Sequence, residues 1–149
     1  MGSRGASAGK NKMFKQAGVG YDARVSKLVK LAGLGTLSEA VKNYDKETGG
    51  NVREDSVGYL DFETYVLKKV ADRNGFDYVS GHGSALNAEK KLKSGITVEL
   101  STTNADKGFM VEAKGGQRSQ ATELMNTFRR VSGTKEAFKY ANELVNKYK

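Results

Sequence analysis

Two stretches of strict alternation constrain the fold of this chain more than any other feature. Ile96, Val98 and Leu100 alternate with Thr97, Glu99 and Ser101. After a polar segment from Thr102 to Gly108, Phe109, Val111 and Ala113 alternate with Met110, Glu112 and Lys114. A period of two puts successive side chains on opposite faces of a strand. Two such strands joined by a polar turn predict an antiparallel β-hairpin with one apolar and one polar face, ended by Gly115-Gly116.

Most of the remaining chain follows a helical period. Val25, Leu28, Val29 and Ala32 fall at i, i+3, i+4 and i+7 of a helix that opens near Tyr21 and stops at Gly33 and Gly35. A second helix starts at Thr36 or Ser38, turns Leu37, Ala40, Val41 and Tyr44 inward and ends at Gly49-Gly50. Residues 51–60 read as a linker or an irregular crossing. Asp61 then caps a helix carrying Phe62, Tyr65, Val66 and Val70, and Asn74-Gly75 stops it. Phe76, Tyr78 and Ser80 alternate with Asp77 and Val79, which predicts a strand. Residues 81–95 fit either a short helix from Ala85 to Leu92 or a basic loop. Beyond the hairpin, Ala121, Leu124, Met125, Phe128 and Val131 predict one helical stripe ended by Gly133. Thr134 then caps a last helix with Ala137, Tyr140, Ala141, Leu144 and Tyr148 inward. The expected architecture is α+β: a small antiparallel sheet, with its hairpin at about 96–114, packed with several helices. Residues 21–149 read as one domain, helical over about 21–75 and with the hairpin and C-terminal helices over about 76–149. Residues 1–20, with five Gly and four unopposed cations, read as a flexible basic arm.

Composition removes several chemistries. The 149 residues include no Cys and no Pro, and only one His. Disulfides, Cys-ligated zinc, iron–sulfur clusters and thiol nucleophiles are therefore excluded, as is a multi-His metal site within one chain. Neither Gly18-Val19-Gly20 nor Gly33-Leu34-Gly35 is followed by Gly-Lys-Ser/Thr, so no nucleotide loop of that kind is present. No apolar run approaches the ~20 residues needed to span a bilayer. The reading is a protein of the bacterial cytoplasm that does not enter the membrane.

The charge is polarised. Lys and Arg number 25 and Asp and Glu 17, a net of +8. Residues 1–30 hold seven cations and one acid, residues 31–80 hold six cations and nine acids, and residues 81–149 hold twelve cations and seven acids. A strongly basic end concentrates polyanions and speeds their capture. The candidate contacts for nucleic acid or a partner are Arg4, Lys10, Lys12, Lys15, Arg24, Lys27, Lys30, Arg118, Arg129 and Arg130. Such side chains grip phosphates without selecting a base. No helix-turn-helix, RNA-recognition or zinc-finger pattern accompanies them.

Two sets of residues could carry catalysis. Glu99, Glu112 and Lys114 share the polar face of the hairpin. A helix, an acid on a strand and Glu-x-Lys on the next strand, over residues 61–131, resemble the PD-(D/E)xK nucleases. The resemblance implies that Glu99 and Glu112 would hold Mg²⁺ and that Lys114 would position or activate the attacking water. The chain departs from that family in carrying Glu99 where Asp is usual and in lacking a Pro-Asp pair. His82, between Gly81 and Gly83, is the candidate base for a metal-independent ribonuclease. Outside the Mg²⁺ of the nuclease alternative, the sequence implies no metal and no cofactor.

The opening segment Met1-Gly2-Ser3-Arg4-Gly5-Ala6-Ser7-Ala8-Gly9 resembles the N-terminus of many small proteins of prophages and mobile elements in Gram-positive bacteria. A short, basic, cysteine-free α+β protein in that setting is similar in kind to phage-encoded anti-CRISPR proteins. The resemblance implies a non-catalytic inhibitor that binds nucleic acid or a nucleoprotein complex such as a CRISPR effector.

Overall fold

A computed structural model describes residues 21–49 and 58–149. The fold is α+β, as the alternation and the helical periods together imply. The described residues group into two compact units divided after Val70. The four arm cations, Arg4, Lys10, Lys12 and Lys15, lie outside the described residues, as does most of the expected linker at 51–60.

The first unit is helical. Helix α1 spans Tyr21–Leu31, α2 spans Leu37–Thr48 and α3 spans Gly58–Arg73, its last turn passing into the second unit. Helix α2 starts where its capping box dictates. The Thr36 hydroxyl accepts from the Glu39 N–H at 3.1 Å, and the Glu39 carboxylate accepts from the Thr36 N–H at 3.2 Å. It ends at Gly49, whose φ of 70° is the left-handed conformation that a side chain disfavours. Val25, Leu28 and Val29 on α1 and Ala40, Val41 and Tyr44 on α2 are buried. The Tyr44 ring meets Phe62 and Tyr65 of α3 edge-on, at 5.7 Å and 5.2 Å between centroids. Asp61 is not the cap of α3. The helix begins three residues earlier, and Asp61 lies in its first turn, where a carboxylate opposes the positive end of the helix dipole.

The second unit is a five-stranded antiparallel sheet in sequence order: β1 Asp77–His82, β2 Ala85–Lys91, β3 Ile96–Thr102, β4 Phe109–Gly115 and β5 Arg129–Val131. The expected hairpin is β3–β4, in the expected register of faces: Val98 pairs with Ala113 and Leu100 with Val111. Helix α5, Thr134–Tyr148, packs across β3 and β4. It buries Phe138 against Phe76 and Phe109, at 5.7 Å and 6.4 Å. Gly133 is the cap of α5 and Thr134 its first helical residue, one position from the expectation.

Two segments differ from the sequence reading. Residues 85–91 are strand, neither a helix nor a loop. His82 pairs with Ala85 across a two-residue turn, Gly83-Ser84, with Gly83 at a φ of 60°. Glycine at the first position of such a turn matches the right-handed twist of the flanking strands. Leu86 and Ala88 are buried while Asn87 and Glu89 remain half-exposed. The expected helix over 121–131 stops at Met125: α4 is Ala121–Met125, and the chain then turns into β5. Met125 and Phe128 are 74% and 43% exposed, so they do not continue the inward stripe. The side chain of Thr127 explains the stop. Its hydroxyl donates to the Leu124 carbonyl at 2.6 Å and accepts from the Ala113 N–H of β4 at 2.8 Å. That pairing fixes the turn from which Arg129 to Val131 pair with β4.

Candidate functional site

The polar face of the hairpin belongs to a wider surface than the two strands foreseen. Asp77 pairs with Glu89, Glu89 with Glu99 and Glu99 with Glu112. Side chains on directly paired positions share a face, so four carboxylates stand in one row across β1 to β4, with strands ~4.8 Å apart. Like charges directly opposite repel. Lys114, on the next row with Thr97 and Lys91, relieves part of that repulsion. Its ammonium is 2.5 Å from Glu99 Oε2. The β1 bulge at Val79 keeps Asp77 and Ser80 on the same face despite their odd spacing. Glu89 and Asp77 escaped the sequence reading because β2 did. The Gly83-Ser84 dipeptide between alternating runs was the available signal.

The nuclease resemblance implies Mg²⁺ on this surface. A catalytic divalent ion needs several oxygen ligands converging at about 2.0–2.1 Å. Among the described residues, no group of three or more His, Asp or Glu side chains is arranged to hold a metal ion. Glu99 is instead engaged by Lys114, the residue that would position the water. Glu63, on the helix that precedes the sheet, is buried and ion-paired with Arg24. These residues do not fit a metal centre.

His82 closes β1 at the first hairpin, exposed, beside the Gly83-Ser84 turn. The Tyr78 hydroxyl donates to the Gly81 carbonyl at 3.1 Å, and a side chain on Gly81 would meet the Ala85 carbonyl oxygen at 2.6 Å.

No protein-family model, curated protein or solved structure matches the chain.

The basic candidates separate. On α1, Lys27 and Lys30 are exposed, whereas Arg24 is directed at Glu63. Arg118, Arg129 and Arg130 do not form one block. Arg118 lies in the short 3₁₀ turn Arg118–Gln120 after β4. Arg129 and Arg130 are successive strand residues and therefore point to opposite faces. The Arg129 guanidinium sits 4.4 Å from the centroid of the Tyr140 ring, a cation–π contact. Arg130 shares the polar face, opposite Met110.

Two open cavities of this unit are large enough for a small molecule. One, of about 340 Å³, is lined by residues of α4, α5 and β5, among them Glu123, Arg129, Tyr140, Glu143 and Lys147. The other, of about 320 Å³, lies at the end of β3, β4 and β5 and includes Lys107 and Arg130. Near the first, the Tyr148 hydroxyl donates to Glu123 Oε2 at 2.5 Å. That bond, with burial second, raises the Tyr148 phenol to about 12. Burial likewise raises Tyr140, against the pull of Arg129.

Proposed function

We propose that this protein is a non-catalytic binding protein of a phage or mobile element. It engages nucleic acid or a nucleoprotein complex such as a CRISPR effector, and so inhibits host defence. The observation that carries the reading is the concentration of charge: seven cations against one acid in the first 30 residues. Of these, Lys27 and Lys30 are exposed on one helix. Cations so concentrated bind polyanions by releasing counterions, which needs no shaped pocket and no base-reading helix.

Fluorescence anisotropy with labelled 20-nucleotide DNA and RNA, single- and double-stranded, tests this. Binding should weaken from 50 to 200 mM salt. Converting Lys10, Lys12 and Lys15 to Glu should cut affinity sharply and lower the salt slope by about two to three. Binding that ignores both salt and charge reversal would refute the electrostatic reading.

A further inference from the structure

The groove at the end of β3, β4 and β5 is lined by cations and hydroxyls. Its volume, about 320 Å³, falls at the lower end of the ~300–1,000 Å³ typical of small-molecule sites. Its lining holds two cations, Lys107 and Arg130, and no Asp or Glu. Ser101, Thr103 and Ser132 add hydroxyls. The cavity beside α5 differs in carrying Glu123 and Glu143 with its own cations.

The fold explains the grouping. Ser101 pairs with Met110, and Met110 with Arg130, so these three side chains share the polar face in one row across β3, β4 and β5. Lys107 ends the 3₁₀ turn Ala105–Lys107 that leads into β4. That turn is fixed from within. The Thr102 hydroxyl donates to the Gly108 carbonyl at 2.6 Å and accepts from the Asn104 N–H at 3.0 Å. Gly108, at a φ of 107°, lies so near β5 that an added Cβ would meet the Val131 carbonyl oxygen at 2.9 Å. Among the described residues neither Lys107 nor Arg130 forms an ion pair. Met110 leaves 37% of its surface exposed beside them.

Two unopposed cations and several hydroxyl donors, with no carboxylate among them, suit an anion with several acceptor oxygens. The exposed, polarisable Met110 side chain offers a face on which a planar ring can rest. We propose that this groove binds a nucleotide, its phosphate on Lys107 and Arg130 and its base against Met110. The chemistry is the same for a free mononucleotide and for one unit of a strand. The assignment uses residues other than the N-terminal cations, so it stands or falls separately from their role.

NMR titration of the full chain with AMP, with adenosine and with a ten-nucleotide single-stranded DNA tests it. AMP should shift amide signals within residues 101–108 and 130–132. The K107Q and R130Q variants should each weaken AMP binding by about tenfold, while K139Q, on the exposed side of α5, should not. Measured at the groove signals of the K10E/K12E/K15E chain, tighter binding of the DNA than of AMP identifies a strand as the ligand; AMP binding at least as tightly identifies a free nucleotide. The proposal is overturned if neither AMP nor DNA shifts the groove. It is also overturned if adenosine binds as tightly as AMP, or if folded K107Q and R130Q proteins bind AMP as the unaltered chain does.

Discussion

Replacing Thr127 by Val isolates the interaction that turns the chain from α4 into β5. Thr127 is 6% exposed, and Val has nearly its shape, so little space opens. What disappears is the hydroxyl. The Ala113 N–H then loses its acceptor, at 2.8 Å, and the Leu124 carbonyl loses a donor at 2.6 Å. A buried donor left without a partner costs about 1–3 kcal/mol, and each bond removed is worth about 1 kcal/mol. The expected loss is about 2–3 kcal/mol, a large share of the ~5–15 kcal/mol that holds a typical domain together. In urea, with a slope of ~2 kcal/mol per molar, the midpoint should fall by about 1 M. Amide hydrogen exchange at Ala113 should accelerate in step. Thr127→Ser keeps the hydroxyl and loses one methyl, so it should cost only about 1 kcal/mol. A T127V midpoint within about 0.2 M of the unaltered chain, or T127S as damaging as T127V, would refute the reasoning.

Three further outcomes follow from named contacts. R24Q breaks the ion pair to buried Glu63 and should cost at least about 2 kcal/mol in urea unfolding, whereas K27Q, on an exposed position, should change stability by less than about 0.5 kcal/mol. The Tyr148 phenol, raised from 10.0 to about 12 by its bond to Glu123, is held protonated in the fold, so the stability it contributes is complete below pH 10 and lost between pH 10 and 12. Absorbance at about 295 nm should show Tyr148 among a late-titrating group with Tyr65 and Tyr140, and E123Q should move one phenol of that group down towards its ordinary value; identical titrations would contradict the bond. DNA and RNA incubated with the protein and Mg²⁺ or Mn²⁺ should stay intact, and metal-dependent cleavage lost on E112A and K114A would reverse the reading of the acid row.

Much of the fold was legible because burial follows a simple period. Ile96, Val98 and Leu100 against Phe109, Val111 and Ala113 could satisfy only a half-buried strand pair, and Thr36 or Ser38 marked a helix start that the structure places at the Thr36 cap. The misreadings have physical causes. In β2 the inward residues Leu86 and Ala88 are few and small, and Lys90, Lys91 and Lys93 make the segment look solvated. Its identity rests on the Gly83-Ser84 turn and on partners in β1 and β3 that local periodicity does not register. At residues 121–131 the helical spacing of Ala121, Leu124, Met125 and Phe128 is real, but Thr127 spends its hydroxyl on Ala113, fourteen residues away. The candidate site was legible as far as Glu99, Glu112 and Lys114. Asp77 and Glu89 joined the row only with the full register, and the pairing of Arg24 with Glu63, 39 positions apart, leaves no trace in a linear pattern.

The most direct test of the proposed role is affinity capture from a bacterial lysate with the tagged chain and with its K10E/K12E/K15E counterpart, followed by analysis of the retained nucleic acid and protein. The unaltered chain should retain nucleic acid or a nucleoprotein complex, and the reversed chain should not. Retention of the same material by both would contradict a role for the basic N-terminal segment.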